Sequence, residues 1–128
     1  MAAVEAIESY VGELPALRAR RLAHAEWGIT VPGDQLDGVA LDVGLRVADG
    51  LLRVQAVALH GADDLDPWML LWWNRQTRIV RFGCTRSRDL WVHGELPAGG
   101  VDPAAVDRLL GLVVEAAQAA RRRRENAW

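Results

Sequence analysis

The sequence predicts an α+β fold, an antiparallel sheet with flanking helices. Three observations carry this. Residues 39–47 alternate apolar and polar and run into Asp49-Gly50. A second strand-like pair covers residues 78–84 and 90–96. A last apolar stripe, Val106, Leu109, Leu110, Val113, Val114 and Ala117, repeats at helical spacing. Hairpins of this kind make an antiparallel sheet, and amphipathic helices need that sheet to bury their apolar faces.

The 128 residues predict one domain, spanning 1–128. With 51% apolar and 25% charged residues, the composition is that of a globular protein and excludes a disordered tail. The single cysteine, Cys84, excludes a disulfide framework and a cysteine-rich zinc site. The longest apolar run, residues 68–73, is far short of the roughly 20 residues that span a bilayer. Acids at Glu5 and Glu8 replace the basic start of a signal peptide. The expectation is a cytoplasmic protein with no membrane contact.

Element by element, Val4, Ile7, Val11 and Leu14 predict an opening helix. Pro15 suits the first turn of a second helical stretch with Leu17, Leu22 and Ala25 on its apolar side. Residues 28–38 read as loop, with a short edge strand at 29–31. Asp49-Gly50 then predicts a two-residue type I′ turn. That turn pairs Val47 with Leu52, Leu45 with Val54, Val43 with Ala56 and Leu41 with Ala58, so both apolar sets share one face. It also sets Arg46 opposite Arg53, a like-charge pair.

Asp66-Pro67 is an N-cap followed by proline at the first helical position, predicting a short helix over 68–76. Val80, Phe82 and Cys84 share one strand face, which makes Cys84 a core thiol. Asp102-Pro103 repeats the cap ahead of the closing helix. The order is α-β-β-β-α-β-β-α if the strand at 29–31 is counted.

Catalytic motifs are nearly absent. Ser9 and Ser87 lie outside any nucleophile elbow, and no phosphate-cradling glycine loop occurs. His24, His60 and His93 lack metalloprotease spacing, and His93 has no nucleophile near it in sequence. His60, Asp63 and Asp64 could hold a cation, making a small enzyme or metal binder the least favoured reading; a solvated acidic loop is the simpler one. No cofactor and no catalytic residue are expected.

Residues 68–73, WMLLWW, are the informative segment. Six apolar residues in succession cover a helix's whole circumference, and one sheet covers only one side of it. Trp68, Leu71 and Trp72 share a face, with Met69 and Trp73 beside it. That face meets a second copy of the chain, is covered by the other helices, or belongs to a strand buried on both sides.

Charge is uneven. All 15 basic residues are arginine. Residues 26–66 hold eight acids against two arginines, whereas 67–88 hold five arginines and no acid. Trp73, Arg75, Arg78, Arg81 and Trp91 are therefore candidate partner-binding residues. An alternative is a nucleic-acid-binding module built on Arg75, Arg78, Arg81, Arg86 and Arg88, because cationic grooves with stacking aromatics bind single strands. The acidic pI of about 5.9 favours acid-paired arginines instead. Arg121, Arg122, Arg123 and Arg124 read as a solvated helix end that suits the macrodipole.

From residue 69 onward the chain resembles YbjN-family proteins. The features are a short helix ending in Asn74 (LLWWN), a strand with Phe82-Gly83, a strand ending Glu95-Leu96-Pro97, and the helix DRLLGLVVEAA. The element order is also similar to that of type III secretion chaperones, whose fold YbjN proteins share. The resemblance implies a non-enzymatic homodimeric adaptor that binds a partner protein, in stress response or regulation. It assigns Trp68, Leu71 and Trp72 to the dimer contact.

Overall fold

A computed structural model describes residues 2–14 and 18–125. Its elements, in chain order, are α1 (Ala3–Gly12), β1 (Arg18–Ala23), β2 (Glu26–Val31), β3 (Leu41–Ala48), β4 (Leu51–Leu59), α2 (Pro67–Gln76), β5 (Val80–Cys84), β6 (Leu90–Pro97) and α3 (Pro103–Glu125). A 3-10 turn, Gly33–Gln35, lies between β2 and β3. The six strands form one antiparallel sheet in the order β1-β2-β3-β4-β6-β5. This is the predicted α+β architecture, and the predicted element order stands with one further strand, β1, inserted between α1 and β2.

The β3–β4 hairpin has the register that its turn dictates. Val43 faces Ala56, Leu45 faces Val54 and Val47 faces Leu52. Asp49 and Gly50 have φ of 53° and 75°, as a two-residue type I′ turn requires. Arg46 does sit opposite Arg53. The repulsion is relieved sideways: Arg53 ion-pairs with Glu95 of β6 at 3.0 Å.

The N-terminal quarter departs from expectation. The predicted second helix is instead a hairpin, with β1 on the sheet edge and β2 inside it; Pro15 and Leu17 lie outside the described residues. Residues 29–31 therefore belong to a longer, interior strand rather than an edge. The turn at His24 and Ala25, with Ala25 at φ 60°, lacks the Asn-Gly or Asp-Gly signature. β1 reads RARRLA, with too little apolar alternation to reveal a strand.

One face of the sheet makes the core. Trp27, Ile29, Leu41, Leu45, Leu52, Val54 and Val92 are all buried there. α3 packs on β4, β6 and β5, with Val106, Leu109, Leu110, Val113 and Ala117 buried. Gly94 on β6 allows this approach, because a Cβ there would come within 2.8 Å of Leu109 and 2.9 Å of Val80. α1 lies beside α3. Tyr10 donates its hydroxyl proton to Asp107 (2.7 Å), and the buried Trp27 donates its indole N–H to Glu8 (2.9 Å). Burial and the Asp107 carboxylate both raise the Tyr10 pKa, so the phenol stays neutral. The opposite face of the sheet stays open. Cys84 is not a core thiol: it ends the edge strand β5 and is exposed.

Candidate interaction surface

α2 is built as its sequence directs. Asp66 accepts the Trp68 N–H at 2.9 Å, and Pro67 occupies the first helical position, where a missing donor costs nothing. The helix touches the rest of the fold mainly through β5. Its inner side carries Leu70 and Trp73, partly buried against the core. The Trp73 and Phe82 rings meet at 5.6 Å with a 43° tilt. Asn74 completes the attachment. Its side-chain amide donates to the Phe82 carbonyl (3.0 Å) and its carbonyl oxygen accepts the Phe82 N–H (2.7 Å). One side chain thus pairs backbone groups that an edge strand would leave open.

Among the described residues the outer side has no such partner. Trp68 is 79% exposed, Leu71 60% and Trp72 59%, and no residue of α2 is fully buried. Arg75 follows on this outer side, one turn after Leu71 and Trp72. Withdrawing a large apolar side chain from water contributes about 1.5–3 kcal/mol, so this face has much to gain from cover.

The other candidate residues fall on separate surfaces. Trp73 and Arg78 border a groove between α2, β5 and α3. Arg81 and Trp91 lie on neighbouring strands of the open sheet face. Arg81 bends back to donate to the Val80 carbonyl at 3.1 Å. Trp91 lines a broad trough of about 700 Å³ with Gln55 and Val57, and its indole N–H is buried without a partner among the described residues. Beside it, partial burial and the charges of Arg53 and Arg81 lower the His93 pKa against the opposing pull of Glu95, favouring the neutral ring. The arginines of residues 75–88 and the tryptophans therefore do not converge in one cationic groove with open stacking faces.

The cluster of His60, Asp63 and Asp64 is dispersed into pairs. His60 approaches Asp89 at 3.6 Å, Asp63 approaches Arg88 at 3.7 Å, and Asp64 meets Arg124 at 3.0 Å. Among the described residues no group of His, Cys, Asp and Glu is arranged to hold a metal ion. The Gly61 N–H bonded to Asp89 lowers that carboxyl's pKa, and His60 and Ser87 add to the effect.

Sequence reasoning missed one feature. Arg121 and Arg124 are latches, not a solvated helix end. Arg121 donates to the carbonyls of Val39 (2.8 Å), Ala40 (3.0 Å) and Ala58 (3.4 Å) and meets Asp37 at 3.3 Å. Arg124 binds the carbonyls of His60 (3.1 Å) and Gly61 (2.7 Å). The signal was present: positions 121 and 124 continue the stripe of Val113 and Ala117 at helical spacing.

No helix among the described residues is long and apolar enough to cross a membrane. No curated protein matches the chain. Residues 67–124 match the YbjN family model, described as "Putative bacterial sensory transduction regulator". The fold is similar to that of the Yersinia pestis type III secretion chaperone SycH, solved in complex with a stable fragment of YscM2. The TM-score is 0.62 at 14% identity, covering 90% of this chain and 96% of that one. Residues 67–124, from α2 through most of α3, are thus similar to the YbjN family, and the chain as a whole has a fold similar to that of a type III secretion chaperone.

Proposed function

We propose that the chain is a non-enzymatic adaptor, chaperone-like in action, that works as a cytoplasmic homodimer and binds a partner protein in a stress-responsive or regulatory pathway. The observation that carries this is the outer face of α2. It presents two tryptophans and a leucine to water on a helix otherwise well attached to its sheet. Aromatic residues are enriched at protein interfaces, and tryptophan is a frequent hot spot. A two-fold axis beside α2 would place Trp68, Leu71 and Trp72 against their own copies. The description of the YbjN family and the presence of a bound protein fragment in the SycH structure support the partner-binding part of the reading.

Light scattering or sedimentation of the purified chain at micromolar concentration tests it. A dimer is expected, and Trp72→Glu should convert it to a folded monomer with an unchanged circular dichroism spectrum. A wild-type chain that remains monomeric sinks the dimer. Unfolding by Trp72→Glu would mean that this face is needed within one subunit.

A further inference from the structure

We infer that the groove between α2, β5 and α3 receives an acidic segment of the partner protein, anchored by one bulky apolar side chain. The inference rests on the partner-binding reading above, but not on the dimer.

The groove has a volume of about 370 Å³. Trp73 and Phe82 line it from the α2 and β5 side, and Leu112, Ala116 and Ala119 from α3. The small side chains of Ala116 and Ala119 leave the room that a large residue at either position would fill. A mostly apolar cleft of this size accepts one or two apolar side chains.

Charge selects the flanks. Arg78 stands on the rim, while Arg75 lies on the outer side of α2, away from the groove. Neither has an acidic partner among the described residues, and no acid occurs anywhere in residues 67–88. Glu115 on the α3 side sets a direction: acids of the incoming segment lie toward Arg78 and away from Glu115. The chain's own acidic-apolar stretch, residues 63–66, is already committed. Leu65 is buried and Asp64 is held by Arg124. That stretch is therefore not the occupant, and the inference assigns the groove to a segment of the partner protein. A nucleic acid fits less well, because the groove is lined mostly by apolar side chains and carries one arginine, Arg78, with Glu115 across from it.

The rim is also strained. Ile79, between Arg78 and β5, has φ of 70° and is 42% exposed. The Val80 N–H bonds the Arg78 carbonyl at 2.7 Å, which makes a γ-turn of the rare positive-φ form. A β-branched residue in this conformation is an outlier of the kind that gathers at binding sites.

The test is an array of fifteen-residue peptides with a central Leu, Ile, Phe or Trp, flanked by aspartate, by serine or by lysine, probed with the full chain. Preference for the aspartate-flanked set is expected, as is weaker binding at higher salt. Ala119→Trp, which fills the groove, and Arg78→Glu, on its exposed rim, should each weaken the best peptide at least tenfold while retaining the wild-type melting profile. Trp72→Glu should leave peptide affinity unchanged, so failure of the dimer and failure of this inference are separable. Equal binding of the lysine-flanked set, no binding at all, or indifference to both groove variants overturns it. So does displacement of the peptide by a single-stranded oligonucleotide at physiological salt.

Discussion

α2 and α3 begin with the same signal and come to opposite ends. Each opens on Asp-Pro, with the aspartate capping: Asp66 accepts from Trp68, and Asp102 accepts the Ala105 N–H at 2.8 Å. α3 then buries Val106, Leu109, Leu110 and Val113, whereas α2, more apolar over its first two turns, buries nothing completely. A cap decides where a helix starts, and neighbouring elements decide what it hides. The contrast is sharpest between two large apolar side chains, Leu109, buried, and Trp72, exposed. Leu109→Ala should cost about 2–5 kcal/mol in urea denaturation, the usual effect of opening a cavity in a packed core. Trp72→Ala should shift the stability of the monomer by no more than about 0.5 kcal/mol, the range of exposed positions. Similar losses from the two would end the distinction between a structural helix and an available one.

The ends of the two helices differ as well. α2 stops at Thr77, whose hydroxyl donates to the Val80 carbonyl at 2.6 Å. α3 runs on into its arginines, and Arg121, only 12% exposed at its side chain, draws the segment after the 3-10 turn and the end of β4 onto the helix. Arg121→Met keeps the aliphatic stem and removes the donors. Its expected cost is about 1–3 kcal/mol, because the carbonyls it serves lose a charged partner. Arg122→Met, on the exposed side, is the control and should change little. Hydrogen exchange near residues 37–41 should rise in the first variant alone.

The contrast between the helices also shows what was legible in the sequence. Periodicity and caps located α2, α3 and the β3–β4 hairpin because each signal is local: Asp49-Gly50 alone specifies the register from Val43↔Ala56 to Ala48↔Leu51. The β1–β2 hairpin escaped because β1 is an arginine-rich edge, and its turn at His24 and Ala25 depends on tertiary contact. The Val47 N–H bonds the Ala25 carbonyl at 2.9 Å, a partner more than twenty residues away. Cys84 was misplaced for a related reason. Alternation gives the side of a strand but not its depth, and Cys84 lies where β5 leaves the sheet. Of the candidate surface, the outer face of α2 was readable from WMLLWW. The separation of Trp73 from Arg81 and Trp91 was not, because it depends on β5 being an edge.

That edge supplies a finer way to separate the inner and outer sides of α2. Asn74→Leu preserves helix propensity and removes both bonds to Phe82. A loss of about 1 kcal/mol is expected, the typical net value for hydrogen bonds of this kind. The more specific readout is the Phe82 amide, whose exchange should accelerate while amides of β3 and β4 remain protected. Uniform acceleration throughout the sheet would show that Asn74 supports the whole fold and not the attachment of α2.

The smallest effect concerns the loop leading into α2, where Asp89 accepts the Gly61 N–H at 2.9 Å. That bond holds the carboxyl below its ordinary value, with His60 and Ser87 contributing. The sign follows from linkage. A carboxylate whose folded-state pKa is depressed adds stability above its unfolded value, near ~4, and loses it as pH falls through the lower folded value. The Gly61 amide resonance should therefore titrate with a midpoint below that of an ordinary aspartate. Asp89→Asn keeps an oxygen for the Gly61 N–H but removes the charge, and the titration should vanish. α3 provides the internal reference: amides from Val106 to Val113, remote from this loop in sequence and bonded within the helix, should show no step over the same acid range. A shared midpoint would mean that the loop and the core helix respond to acid as one unit, and that the independence argued for α2 does not extend to its approach.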